Sequence, residues 1–244
     1  MMQVWALTDV GLVRKENQDA YAVVKNGQTG NVIAVVCDGM GGVKGGGLAS
    51  RIAVDTYIAE AVKVLRGDMT AEQRKEASSY AVALANRAVY TAAQEQYRGM
   101  GTTLVSAISY DGGVVVSNVG DSRAYRISAG EISHITKDHS LVADLVERGD
   151  ITQEEARSHP NRNVITRALG PEASESCDGY ICPLAAGEYV LLCSDGLVDT
   201  VRDEEILREV CGNEDTEHCL DRLLAIAKSR GAADNVTAVL MKML

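Results

Sequence analysis

The run 31–37, Asn-Val-Ile-Ala-Val-Val-Cys, stops abruptly at Asp38-Gly39-Met40-Gly41-Gly42. A short, unbroken, β-branched stretch of this kind reads as a buried strand, and the glycines after it read as a turn. The same ending recurs at 188–193, where an apolar run meets Ser194-Asp195-Gly196. Asp234 opens the last strand-like run, 235–244, and Asp121 follows Gly120 at a turn between two more strand blocks. Aspartate is unfavourable inside strands, so at a strand end it serves a turn or a function. Any one of these residues is explained by a turn. Together they matter only if the fold gathers the strand ends at one edge of its sheets. Several carboxylates with water are what hard cations such as Mg²⁺ or Mn²⁺ require. Asp38 has two oxygens with which to bridge a pair of ions, and the Gly39 carbonyl can approach closely because glycine has no side chain.

Between these strands the pattern turns helical. Ile52, Thr56, Ala59 and Val62 mark one stripe of a helix over 48–65, and 71–96 reads as a second helix uninterrupted by Gly or Pro. Strands follow at 102–109 and 114–118, joined by Asp111-Gly112-Gly113, and at 121–127, which turns through Ser128-Ala129-Gly130 into another. The polar segment 141–171 reads as a short helix and a surface flap. A helix over 217–229, stopped by Gly231, precedes the last strand. Antiparallel hairpins with helices before and after them predict an α+β layered fold, with helices packed outside antiparallel sheets. No linker or repeat divides the chain, so residues 1–244 are expected to form a single domain with the flap as its appendage.

Composition removes several classes. Net charge is −10, which disfavours nucleic acid, and no apolar run approaches the roughly 20 residues that cross a bilayer. The N-terminus lacks a signal-peptide layout, so a cytoplasmic monomer is expected. The six cysteines include no Cys-x-x-Cys pair and are expected to be reduced and mostly buried. No Cys-x5-Arg signature of a thiol phosphatase occurs, and Gly45-Gly46-Gly47 is not followed by Gly-Lys-Ser/Thr, which excludes a nucleotide P-loop. Those glycines are expected to open the turn into the next helix.

The motifs come in a particular order. Arg14-x-x-Asn17-Gln18-Asp19 is followed by Asp38-Gly39-Met40-Gly41-Gly42, Gly101-Thr102-Thr103, Gly120-Asp121-Ser122-Arg123, Asp138-His139-Ser140, Ser194-Asp195-Gly196 and Asp234-Asn235. This order resembles the metal-dependent Ser/Thr protein phosphatase family, type 2C, in its compact bacterial form, over nearly the whole chain. The resemblance implies two stacked antiparallel β-sheets flanked by helices, a four-layer α/β/β/α sandwich, with Mn²⁺ or Mg²⁺ in a cleft at one edge. It implies that Asp38 bridges two ions, that Asp195 and Asp234 complete one site and the Gly39 carbonyl the other, and that Asp121 holds a weaker third ion. Arg14 matches the arginine that grips the substrate phosphate, and Asp19 an acidic residue that orders water at the ions. The expected substrates are phosphorylated proteins, with a Ser/Thr protein kinase as the opposing partner. Two ions about 3.5–4 Å apart clamp a phosphate and acidify the water between them, which attacks phosphorus in line with the serine or threonine oxygen.

Two positions depart from eukaryotic members. Gln18 stands where many have Glu, which weakens the second ion's site. Met40 stands where they have His, and a thioether donates no proton. His159, in the flap beside Pro160, is the candidate replacement acid, with water as the alternative. His139 is expected to be structural. A catalytically inactive pseudophosphatase acting as a binding module is the rival reading, but it would have lost metal aspartates, and all are present. A metal-dependent nuclease is opposed by the acidic charge.

Overall fold

Parity along each strand decides the layering. In the computed structural model, which describes residues 1–94, 97–212 and 215–244 (42–44 by backbone only), two antiparallel sheets stack face to face. One has five strands in the order β1 (Met2–Asp9), β11 (Val236–Met243), β10 (Tyr189–Cys193), β7 (Arg123–Ser128) and β8 (Glu131–His134). The other runs β2 (Asp19–Lys25), β3 (Val32–Met40), β5 (Leu104–Tyr110), β6 (Gly113–Val119) and β9 (Asp178–Pro183), with two-residue β4 (Gly101–Thr102) paired to the end of β3. On β3, Val32, Ala34 and Val36 point between the sheets, where they meet Val190 and Leu192 of β10 and Val239 and Met241 of β11. Ile33, Val35 and Cys37 point the other way, onto α1 (Gly42–Val64) and α2 (Ala71–Ala92). Leu191 and Cys193 of β10 likewise face α5 (Asp195–Val198), α6 (Asp203–Cys211) and α7 (Cys219–Ser229). Central strands are therefore apolar on both faces, which is why they read as unbroken hydrophobic runs. Each such side chain contributes roughly 1.5–3 kcal/mol by leaving water. The result is the expected four-layer α/β/β/α sandwich.

The flap carries α3 (Leu141–Glu147) and α4 (Gln153–Ser158). α3 buries no residue, and α4 buries only Ala156. Its backbone is tied down at its ends, through Leu141 N–H to the Val164 carbonyl, Thr166 N–H to the His139 carbonyl, and paired bonds between Thr102 and Leu169.

Some expected boundaries move. α1 begins at Gly42, so Gly45-Gly46-Gly47 lies inside the helix rather than in a turn before it. The reason is contact: a Cβ on Gly39 would lie 2.1 Å from the Gly46 carbonyl oxygen, so the strand end and the helix meet backbone to backbone. α2 ends at Ala92, short of 96, and residues 95–96 lie outside the described residues. Its start matches, set by a capping box between Thr70 and Gln73. All six cysteines are free; Cys37, Cys182, Cys193 and Cys219 are buried, Cys177 is half-buried and Cys211 exposed. β1, β2, β9, α4 and α6 were not anticipated.

Candidate active site

The strand ends do converge. Asp38 near the end of β3, Asp195 at the start of α5, Asp234 just before β11 and Asp121 in the β6–β7 turn line one cleft of about 580 Å³, together with Arg14 and Gly39. Sheet register places them. Asp19 heads β2 directly opposite Asp38 on β3, and Cys193 on β10 pairs with Ala238 on β11, which brings residues 195 and 234 to the same edge. Asp19 lies behind the cleft wall, where the Ser194 hydroxyl donates to its Oδ2 at 2.8 Å and in turn accepts from the Thr237 amide at 3.0 Å.

The glycine after each strand-end aspartate proves to be a packing requirement. Neither Gly39 nor Gly196 has a left-handed φ. A Cβ on Gly196 would lie 2.0 Å from the Asn235 carbonyl oxygen, as one on Gly39 would collide with Gly46. The tight-turn reading of these glycines is corrected by the absence of any turn that needs them.

Arg14 is carried by the loop between β1 and β2. Gly11, at φ 77°, leaves no room for a Cβ against the Asp234 carbonyl oxygen at 2.3 Å, and Leu12 N–H bonds the Ala232 carbonyl at 2.9 Å. Asn235 clamps the rest of the loop: its Nδ2 donates to the Val10 and Glu16 carbonyls at 3.0 and 3.1 Å, and its Oδ1 accepts from Gln18 N–H at 2.8 Å. Arg14 then pairs with Asp234, Nη2 to Oδ2, at 2.7 Å. This hydrogen bond holds the guanidinium above its ordinary pKa.

His159 is not brought to the cleft. It caps α4, half-buried, and its Nδ1 accepts from the Asn161 amide at 3.1 Å. From the flap, Asn163 and Ile165 reach the cleft instead. Met40 lines it too. His139 is a buried hub: its Nδ1 accepts from Gly120 N–H at 3.0 Å and its Nε2 lies 3.2 Å from Asp178, while burial lowers its pKa. Beside it, Arg123 and Asp138 form a bidentate pair; burial opposes the Arg123 charge, but Asp138 outweighs it. Sequence reasoning gave no role to Ser194, Asn235 or Thr103, whose hydroxyl accepts from the Asp38 amide at 2.9 Å. All three were inside quoted motifs, and their polar type on a strand end was the only signal.

Electrostatically the site is overloaded with acid. Burial, reinforced by the neighbouring carboxylates, pushes Asp38 and Asp195 well above the usual carboxylate range. Burial also raises Asp121 to about 7, with Asp138 adding to it. Asp19 rises to about 6, again from burial, against hydrogen bonds from Thr237 and Ser194. Buried Oδ1 atoms of Asp19 and Asp195 have no hydrogen-bond partner among the described residues. Such a cluster is short of positive charge. Among the described residues no group of three or more His, Cys, Asp or Glu stands arranged as a finished cage, and Asp234 is turned toward Arg14. The donor chemistry nevertheless fits Mg²⁺ or Mn²⁺. Carboxylate, carbonyl and amide oxygens line the cleft, and no His or Cys does.

Stacked antiparallel sheets sheathed in helices thus leave an oxygen-donor cleft where the strands end. Residues 13–241 match the family described as protein phosphatase 2C. The serine/threonine phosphatase stp of Listeria monocytogenes is 35% identical over 237 residues, 96% of this chain and 93% of that protein. The crystal structure of the serine/threonine phosphatase Stp1 from Staphylococcus aureus superposes with a TM-score of 0.93 at 39% identity, covering 100% of this chain and 96% of that one. The catalytic domain of the phosphatase PstP, solved in complex with two manganese ions, superposes at 0.85 with 32% identity over 99% of this chain and 97% of that one. The chain belongs to the protein phosphatase 2C family.

Proposed function

We propose that this chain is a metal-dependent protein Ser/Thr phosphatase, and that residues 1–244 work as one catalytic domain with 141–171 as its flap. The observation that carries the reading is the half-buried carboxylate cluster, with orphaned buried oxygens on Asp19 and Asp195 and an arginine at its mouth. Asp38, Asp195, Asp234 and the Gly39 carbonyl would hold two Mn²⁺ or Mg²⁺ ions, and Asp121 a third. Bound there, the ions supply charge to the phosphate oxygens and make water a competent nucleophile at neutral pH. Arg14 orients the phosphate with its planar fork. Asp19 would order water at the ions, its own carboxylate held by the Ser194 hydroxyl. Met40 donates no proton and His159 is not among the residues lining the cleft, so the departing serine or threonine oxygen takes its proton from water. The substrates are phosphoproteins, the opposing partner is a Ser/Thr kinase, and the setting is the cytoplasm, with the protein acting as a monomer. No helix among the described residues is long and apolar enough to cross a membrane.

The test is release of phosphate from a phosphothreonine peptide with Mn²⁺, with Mg²⁺ and with chelator, beside an assay for cleavage of nucleic acid. Turnover that needs the ion and spares nucleic acid is expected; activity unaffected by chelator overturns the reading. Arg14→Ala should raise KM for the phosphopeptide, since a charge-assisted bond is worth roughly 1.5–3 kcal/mol.

A further inference from the structure

Chain ends and tyrosines aside, the large hydrophobic side chains exposed among the described residues are Val10, Leu12, Val13 and Val164. Exposed apolar residues scattered singly need no explanation, whereas a group of them at one place marks an interaction surface. These four belong to the two segments that border the carboxylate cleft. Val13 lines it, with Val10 and Leu12 in the same loop, and Val164 lies between Asn163 and Ile165, which both line it. Leu12 and Val13 are 60% and 67% exposed.

Neither segment is loosely held. The loop backbone is pinned by Gly11 against Asp234, by Leu12 N–H on Ala232 and by the Asn235 amide. In the flap, Val164 donates to the Asn161 carbonyl at 3.1 Å and accepts from Leu141 N–H at 2.8 Å. The fold thus uses ordered backbone to hold aliphatic side chains in water on two segments that border the cleft. An extended substrate advances about 3.3–3.6 Å per residue, so a neighbour of the phosphorylated residue reaches these segments while the phosphate sits at Arg14.

Resting on the phosphatase reading, we propose that the loop 10–13 and the flap segment 164–165 form an apolar rim that takes an aliphatic side chain adjacent to the phosphorylated residue. The substrate class is then phosphoserine or phosphothreonine with Leu, Ile, Val or Met beside it.

Steady-state rates with Mn²⁺ on matched phosphothreonine peptides, flanked by Leu or by Ser, test this beside p-nitrophenyl phosphate, which has no flanking residue. The wild-type protein should favour the Leu peptide about 10-fold in kcat/KM, the scale on which apolar pockets discriminate. In Leu12→Ser/Val13→Ser and in Val164→Ser, that ratio should fall toward one. All three residues are exposed, and an unchanged melting temperature would confirm that the variants fold. Equal wild-type turnover of both peptides overturns the rim, as does a Leu preference that survives both variants. Absence of Mn²⁺-dependent turnover by the wild-type protein on every substrate, p-nitrophenyl phosphate included, overturns the phosphatase reading and the rim with it. A folded variant that loses p-nitrophenyl phosphate turnover as fully as peptide turnover overturns the rim alone.

Discussion

The floor of the cleft and the flap beside it are built by opposite means. The floor is made of residues at the ends of central strands, its carboxylates half-buried and its backbones in contact at Gly39–Gly46 and Gly196–Asn235. The flap has a helix with no buried residue and is secured by a few backbone bonds at its ends. The carboxylates proposed to hold the ions thus sit on ordered strand ends, beside flap helices that bury almost nothing. Changes to the floor should therefore fail abruptly, and changes to the flap should be graded.

The largest effect is expected from Asp38→Asn. It removes a charged oxygen where several carboxylates converge, and turnover should fall by roughly 10³-fold or more, the scale seen when key electrostatic groups are lost. Phosphate release at saturating Mn²⁺ measures it; near-normal turnover would end the floor's claim to the chemistry.

Gly196→Ala puts a methyl group against a backbone oxygen and should destabilise the fold by about 1–3 kcal/mol or more. Gly149→Ala, in the flap at φ 77° with nothing near its Cβ, should cost only about 1 kcal/mol of backbone strain. Urea denaturation of the pair compares the two regions directly. Equal costs would show that the floor can yield.

Protons give a third contrast. In the folded chain Asp19 and Asp121 ionise near 6 and 7, against about 4 in an unfolded chain. The folded state therefore binds more protons across that window, and the stability owed to these groups is present at low pH and lost as pH rises from about 4 to about 7. The chelated protein should melt at a lower temperature at pH 7.5 than at pH 5, and added Mn²⁺ should raise the melting temperature more at pH 7.5. A Mn²⁺ effect independent of pH would mean that ions do not bind at the acidic cluster.

The smallest effect belongs to His159→Ala. Because this side chain is turned to the Asn161 amide, turnover of phosphopeptide and of aryl phosphate should change by less than about 2-fold, below the roughly 10²-fold or more that a general acid supplies. A selective loss on the peptide would show that the flap carries His159 into the cleft during turnover.

Legibility in the sequence followed the same division. Strands β3, β5, β6, β10 and β11 were visible because burial on both faces leaves long β-branched runs. β1 was missed because its burial alternates, with Met2, Val4 and Trp5 half-covered and Gln3 exposed. The strand-end aspartates were legible as a set only through the order of the motifs, since each alone is a turn residue. The Ser194 bond to Asp19 and the Asn235 clamp join positions far apart in the chain and have no local signature. His159 was chosen on titration alone, which carries no information about direction in a segment with so little buried.

The ion pair between Arg14 and Asp234 has a consequence for the order of events. Under the proposed assignment, one carboxylate is claimed by two cations, the guanidinium and the divalent ion. Arg14 would be freed for a phosphate when Asp234 turns to a divalent ion, and Asp234 would be freed for the ion when Arg14 turns to a phosphate. The two ligands then assist each other by equal factors, as thermodynamic reciprocity requires. Apparent affinity for Mn²⁺ would then rise with the concentration of phosphorylated substrate, so that loading would be most complete where phosphoprotein is plentiful.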